Sequence, residues 1–329
     1  MTSRLVAGAP RVDAVLPVLL RDLDRFEILD ASIRKFFAPL GRCWVVAADH
    51  ELAQVRRRVV GEPYQVIAES SLFPELAQYR RLYRKLDVDK SRRDPLSRLR
   101  RRCIARFCNV RGWYIQQILK MAAAQVVETP YYLTLDADVI CVRPVRSQDL
   151  FVGGKALVNT TSEDWHPDWY RNSERVLGLA RSGLTHGVTP ALLHRDAMTA
   201  LFAHLQARVA APLRAGQVIA GRHSSIGRAL GSWRSYLLRN TPWTEYSLYY
   251  TYLEATGQFD RYHVAGGRDA VCDNYGSVWS AADFAARTLD DFLRSPAPFR
   301  VVQSTTGIPP AQLWSFLGGI LENAPRESV

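Results

Sequence analysis

Two aspartates separated by one small residue, Asp136-Ala137-Asp138, follow directly on an apolar run at residues 131–135 (YYLTL) and precede another at 139–142. Carboxylates at that spacing, at the carboxyl end of a buried strand, suit a particular chemistry. Hard divalent cations such as Mn²⁺ or Mg²⁺ take carboxylate oxygens and keep other positions for phosphate. A cation held there can clamp a nucleoside diphosphate and neutralise it as it leaves. Ala137 keeps the turn small, so a diphosphate can come close. The bland alternative is a turn carrying two solvated acids, and a lone pair of this kind arises often by chance. Context decides, so the elements that would carry the pair matter.

Those elements alternate. A short apolar run at 14–20 reads as a first buried strand, and 22–37 has helical spacing, with Leu23, Phe26, Ile33 and Phe36 on one side. Residues 43–47 (CWVVA) read as a second strand, 52–60 as a helix and 64–68 (YQVIA) as a third strand. This rhythm predicts a parallel sheet of the doubly wound kind. After a polar, basic interval, residues 112–127 predict a helix that leads into the fourth strand and the aspartate pair. Ligands of such sheets bind beyond the carboxyl ends of the strands. Further on, 156–158 reads as a strand, 160–172 as a polar and aromatic loop, and 196–209 and 244–255 as helices. A soft boundary near residue 145 divides a nucleotide side, 1–145, from an acceptor side, 146–329.

Composition limits the field. The chain has 329 residues, 47% hydrophobic and 23% charged, which suits a globular α/β protein with a sizeable core. The formal net charge is +11, concentrated between Arg80 and Arg111. That stretch reads either as a solvated basic helix or as a patch for anionic headgroups and pyrophosphate. No helix-turn-helix, RRM or zinc-finger spacing accompanies it, so no nucleic-acid partner is expected. Five cysteines without a CxxC pattern read as reduced thiols of a cytoplasmic protein. No signal-peptide layout and no apolar run of spanning length is present, so membrane contact is expected to be peripheral, at the inner face of the cell membrane.

Two rival enzyme classes share parts of this pattern. Haloacid-dehalogenase phosphatases place DxD after their first strand, whereas here it comes after 135 residues. Sugar nucleotidyltransferases carry a glycine-rich loop after the first strand, where this chain has RDLDRFEIL. A basic binding module without catalysis is the third alternative, and retention of both aspartates speaks against it.

Three stretches, Arg111 to Lys120 (RGWYIQQILK), residues 131–144 (YYLTLDADVICVRP) and Thr244 to Tyr250 (TEYSLYY), resemble a bacterial group of glycosyltransferases known as DUF6492. The resemblance covers roughly residues 12–265. It implies a GT-A fold: a Rossmann-like, mostly parallel sheet flanked by helices, with a fused acceptor-side lobe. It also implies a nucleotide-sugar donor and a divalent metal at Asp136 and Asp138. Lys120, with Gln116 four residues before it on the same helix face, would meet donor phosphate or a sugar hydroxyl. In Thr185-His186-Gly187, Gly187 would let backbone approach the sugar and His186 would touch it. Glu245, at a helix start, is the candidate base for the acceptor hydroxyl, although many relatives carry Glu-Asp where this chain has Tyr246. His263 is the candidate third metal ligand. Trp165, Trp169 and Tyr246 are candidates for the acceptor wall, since aromatic faces stack on sugar rings. Ordinary packing accounts for those aromatics nearly as well. The expected reaction is sugar transfer to a glycan or lipid-linked glycan.

Overall fold

The computed structural model of the chain describes residues 11–86, 111–163, 165–181, 183–187, 189–216 and 231–321. Most of the basic stretch, together with Cys103, Cys108 and Asp164, lies outside the described residues. The first half runs β1 (Val12–Val18), α1 (Leu23–Phe36), β2 (Leu40–Ala47), α2 (Leu52–Arg58), β3 (Tyr64–Ala68), α3 (Leu76–Leu86), α4 (Gly112–Ala122), β4 (Tyr131–Thr134) and β5 (Val139–Cys141). The second half contains β6 (Phe151–Val152), β7 (Lys155–Val158), β8 (Thr160–Thr161), α5 (Pro167–Leu177), β9 (Thr185–His186), β10 (Ala191–His194) and α6 (Arg195–Gly216). It continues with α7 (Trp233–Arg239), α8 (Glu245–Ala255), β11 (His263–Ala265), β12 (Phe299–Val301) and α9 (Pro310–Leu321).

The central sheet has the order β10-β4-β1-β2-β3, parallel throughout except for β10, which runs antiparallel on β4. The expected mostly parallel α/β class is therefore what the chain adopts. All seven residues of β1 are buried, because helices cover both faces of the sheet. Val15 points to the face packed by Ile115, Ile118 and Leu119 of α4. Ala14 and Leu16 point to the opposite face, against Leu23, Phe26 and Ile33 of α1. Successive strand residues serving opposite faces is why the run reads as continuously apolar.

Two features depart from the sequence reading. The polar segment expected as a loop contains a helix, α5. Its start is set by His166 in the left-handed region (φ 57°) and Pro167 at the first helical position, and Gly178 (φ 66°) ends it. A late strand, β12, returns to pair antiparallel with β5, and α9 closes a third apolar cluster against Ile140, Val142 and Phe292. Cys43, Cys141 and Cys272 are free and buried. Among the described residues no helix is long and apolar enough to cross a membrane.

Candidate functional site

β4 carries the aspartate pair out past the carboxyl end of the sheet. The last sheet contact is the Leu135 amide donating to the Val15 carbonyl at 2.9 Å. The turn that follows is pinned from the far end of the chain: the Val302 amide donates to the Asp138 carbonyl at 3.0 Å. The Ser304 amide donates to Asp138 Oδ2 at 2.8 Å. Both aspartates line a cavity of about 810 Å³.

Lys120 reaches the pair from α4. Its side chain is buried, with Nζ 2.8 and 2.9 Å from the two carboxylate oxygens of Asp136 and 2.9 Å from Thr189 Oγ1. On its other side lies Glu245 Oε1 at 3.3 Å. Burial alone would lower the Lys120 pKa, but Asp136 and Glu245 outweigh it and hold the ammonium above its ordinary value. Glu245 is pushed up to about 7, by burial first, with Lys120 opposing and Asp136 adding to the rise. Asp138 is pushed up to about 6, by burial and then by the neighbouring Asp136 charge.

That arrangement fits a divalent cation. Asp136, Asp138 and Glu245 face a single ammonium, Lys120, so the local charge is negative. Burial first, and then the Asp136 charge, push the Asp138 carboxyl up, against Lys120 and Arg25. Two carboxylates are a donor set for Mn²⁺ or Mg²⁺ that keeps its other positions for water and phosphate. Among the described residues no group of three or more His, Cys, Asp or Glu is placed to hold a metal. His263, expected as a third ligand, is buried elsewhere: Nε2 meets the Tyr249 hydroxyl at 2.8 Å, and burial holds the ring neutral with a pKa of about 3.

Other expected residues are also displaced. Glu245 does not line the cavity; it lies behind Lys120, fully buried at the start of α8. Gln116 is not on the cavity wall either. Its neighbour Gln117 is, and accepts from the Glu245 amide at 3.3 Å. Trp113, Gln117 and Lys120 form the face turned to the site, the spacing of four and then three that a helix face requires. Gly187 packs against Asn159, where an added Cβ would lie 2.5 Å from the Asn159 Cβ, so its need for glycine is structural. His186 does line the cavity, stacked on Tyr250 with ring centroids 4.3 Å apart, and burial lowers its pKa to about 3. The Tyr246 ring is on the wall, and its hydroxyl is locked between Thr134 Oγ1 (2.8 Å) and Thr189 Oγ1 (2.6 Å).

Much of the rest of the cavity lining is aromatic. Trp113 meets Trp169 at 5.7 Å between centroids, and His166 stacks on Trp169 at 3.9 Å. Trp165 meets Tyr275 edge-on at 5.3 Å, and Trp279 lies beside them. Trp165 and Trp169 were legible as candidates. Trp113, Tyr275 and Trp279 were not, because they come from stretches distant in sequence that the fold brings to one cavity.

The site is thus a paired-carboxylate cavity at the strand ends of a mostly parallel α/β sheet. The chain belongs to DUF6492, described as a family of unknown function, which matches residues 9–322. No curated protein matches the sequence. Among solved structures, the chain is similar to the apo form of the glycosyltransferase GlyE of Streptococcus pneumoniae TIGR4, at 10% identity and a TM-score of 0.42, over 95% of this chain. It spans 62% of the GlyE chain. It is also similar to the galactosyltransferase LgtC in complex with donor and acceptor sugar analogs, at 11% identity and a TM-score of 0.40, over 96% of this chain and 98% of that one.

Proposed function

We propose that this protein is a metal-dependent glycosyltransferase that moves a sugar from a nucleoside-diphosphate donor to a glycan or lipid-linked glycan. The observation that carries the reading is the placement of Asp136 and Asp138. They sit at the carboxyl end of β4, in a cavity whose lining also bears Trp113, Trp165 and Trp169. The carboxylates suit a metal-bound diphosphate, and the indoles of the same lining suit sugar rings.

In this reading Asp136 and Asp138 hold Mn²⁺ or Mg²⁺, which supplies positive charge to the departing diphosphate. Lys120 fixes the Asp136 carboxylate through two short contacts, so its orientation costs little when the donor arrives. Gln117 presents a cavity-facing amide beside it. Glu245 acts through Lys120, as the buried counter-charge that positions the cation on Asp136. Trp165, Trp169 and the Tyr246 ring form the acceptor wall, and His186 offers a neutral ring to the sugar. Residues 1–145 carry the donor side and 146–329 most of the acceptor side, with Trp113 contributed across that division.

The test is thermal stability with UDP, GDP and TDP, each with and without Mn²⁺. A ligand at a hundred times its dissociation constant stabilises the fold by about 2.7 kcal/mol. One nucleoside diphosphate should raise the melting temperature in a metal-dependent way, and Asp138→Asn should remove the effect. No shift with any of the three, with or without metal, would sink the reading.

A further inference from the structure

Asn274 is 93% buried, lines the cavity, and belongs to no part of the machinery described above (7% exposed). Neither its amide nitrogen nor its amide oxygen has a hydrogen-bond partner in the protein. An unpaired buried amide is costly and usually has a reason. The surroundings supply one. Trp279 Nε1 donates to the Asn274 carbonyl at 2.7 Å, which fixes that indole beside the residue. Trp165 Nε1 donates to Glu163 at 2.8 Å, and the Tyr275 hydroxyl bonds the same carboxylate. Trp279 and Tyr275 remain 41% and 45% exposed. The Asn274 amide is thus an unpartnered polar group in the cavity lining, next to rings tied by their polar edges, with the Arg268 guanidinium 4.1 Å from the Tyr275 ring centroid.

We propose that Asn274, with Trp165, Tyr275 and Trp279, forms a subsite for one sugar ring. The amide pairs with two adjacent hydroxyls, donating to one and accepting from the other, while the rings cover the apolar face. The amide atoms are shielded in the free protein, so a sugar hydroxyl reaches them only when a neighbouring side chain shifts. Trp165 is tied to Glu163, and Tyr275 to Glu163 and to the Arg268 guanidinium over its ring. The subsite rests on the sugar-transfer reading for its ligand class, but not on the aspartate pair.

The experiment compares wild type, Asn274→Ala and Asn274→Asp with three probes. The first is nucleoside diphosphate with Mn²⁺, read by thermal shift. The others are UDP-glucose, UDP-galactose and GDP-mannose, and the methyl glycosides of glucose, galactose, mannose and N-acetylglucosamine, read by saturation-transfer NMR. Asn274→Ala should keep nucleotide binding and weaken a sugar-bearing probe at least about tenfold. Its melting temperature should change little, because no hydrogen bond of the protein is removed. Loss confined to the nucleotide sugars assigns the ring to the donor, and loss with the glycosides assigns it to the acceptor. Unchanged sugar binding in Asn274→Ala overturns the proposal, as does absence of sugar binding in wild type or a lowered melting temperature in both variants. Failure of nucleotide binding alone would instead count against the aspartate site, leaving the glycoside comparison to judge Asn274.

Discussion

At the scale of single residues, the site is governed by too many carboxylates for one ammonium. Asp138 in the folded chain titrates at about 6, against an ordinary 3.8. The folded state therefore holds that proton more tightly than the unfolded chain does. Its contribution to stability is present at low pH and is lost as pH rises through the interval between those two values. A bound cation competes with the proton, so the sign reverses for the loaded protein. Stabilisation by Mn²⁺ with nucleoside diphosphate should be small at about pH 5 and grow to a plateau above about pH 7. Melting curves across that range check it, and Asp138→Asn should flatten the dependence. Lys120 is the other lever. Lys120→Met leaves Glu245 and Asp136 without their cation and should cost about 3–5 kcal/mol in urea unfolding. Adding Glu245→Gln should recover part of that loss, because the buried charge is then gone as well.

Elements hold these residues by local signals of uneven visibility. α8 is capped reciprocally: Thr244 Oγ1 accepts from the Ser247 amide at 2.9 Å, and Ser247 Oγ accepts from the Thr244 amide at 2.9 Å. Thr244→Ala should cost about 1 kcal/mol in chemical denaturation. Gly187→Ala forces a Cβ onto Asn159, whose amide bonds the 271–272 backbone, and should cost about 1–3 kcal/mol by the same measurement. The parallel strands, α1 and α4 were legible because burial on both faces leaves unbroken apolar runs and helix faces leave their spacing. The aspartate pair was legible because it abuts such a run. The residue on α4 that faces the cavity was off by one, Gln116 for Gln117, since the sequence shows a face but not where its edge falls. Glu245 was legible as a helix-start acid, yet its burial behind Lys120 was not. That depends on an ion pair across 125 residues. β12 was invisible because three residues carry no periodicity, and its pairing with β5 is set by distant sequence.

For the whole molecule, the two cores share one sheet, so damage to either should be felt by both. β1 serves both faces, and Leu16→Ala should cost about 2–5 kcal/mol and unfold the chain in a single transition by circular dichroism and tryptophan fluorescence alike. The late return of the chain ties the rest together. Arg25 of α1 donates to the carbonyls of Val302 at 3.1 Å and Ile308 at 2.7 Å. The same return lays the Val302 and Ser304 amides on Asp138. A ribosome making this protein finishes β4 and both aspartates long before the residues that steady them exist. For much of its synthesis the chain carries a half-made carboxylate turn whose apolar flank, Val139 and Cys141, waits for a partner strand. A chain ending before Val302 would lack both backbone contacts that hold Asp138.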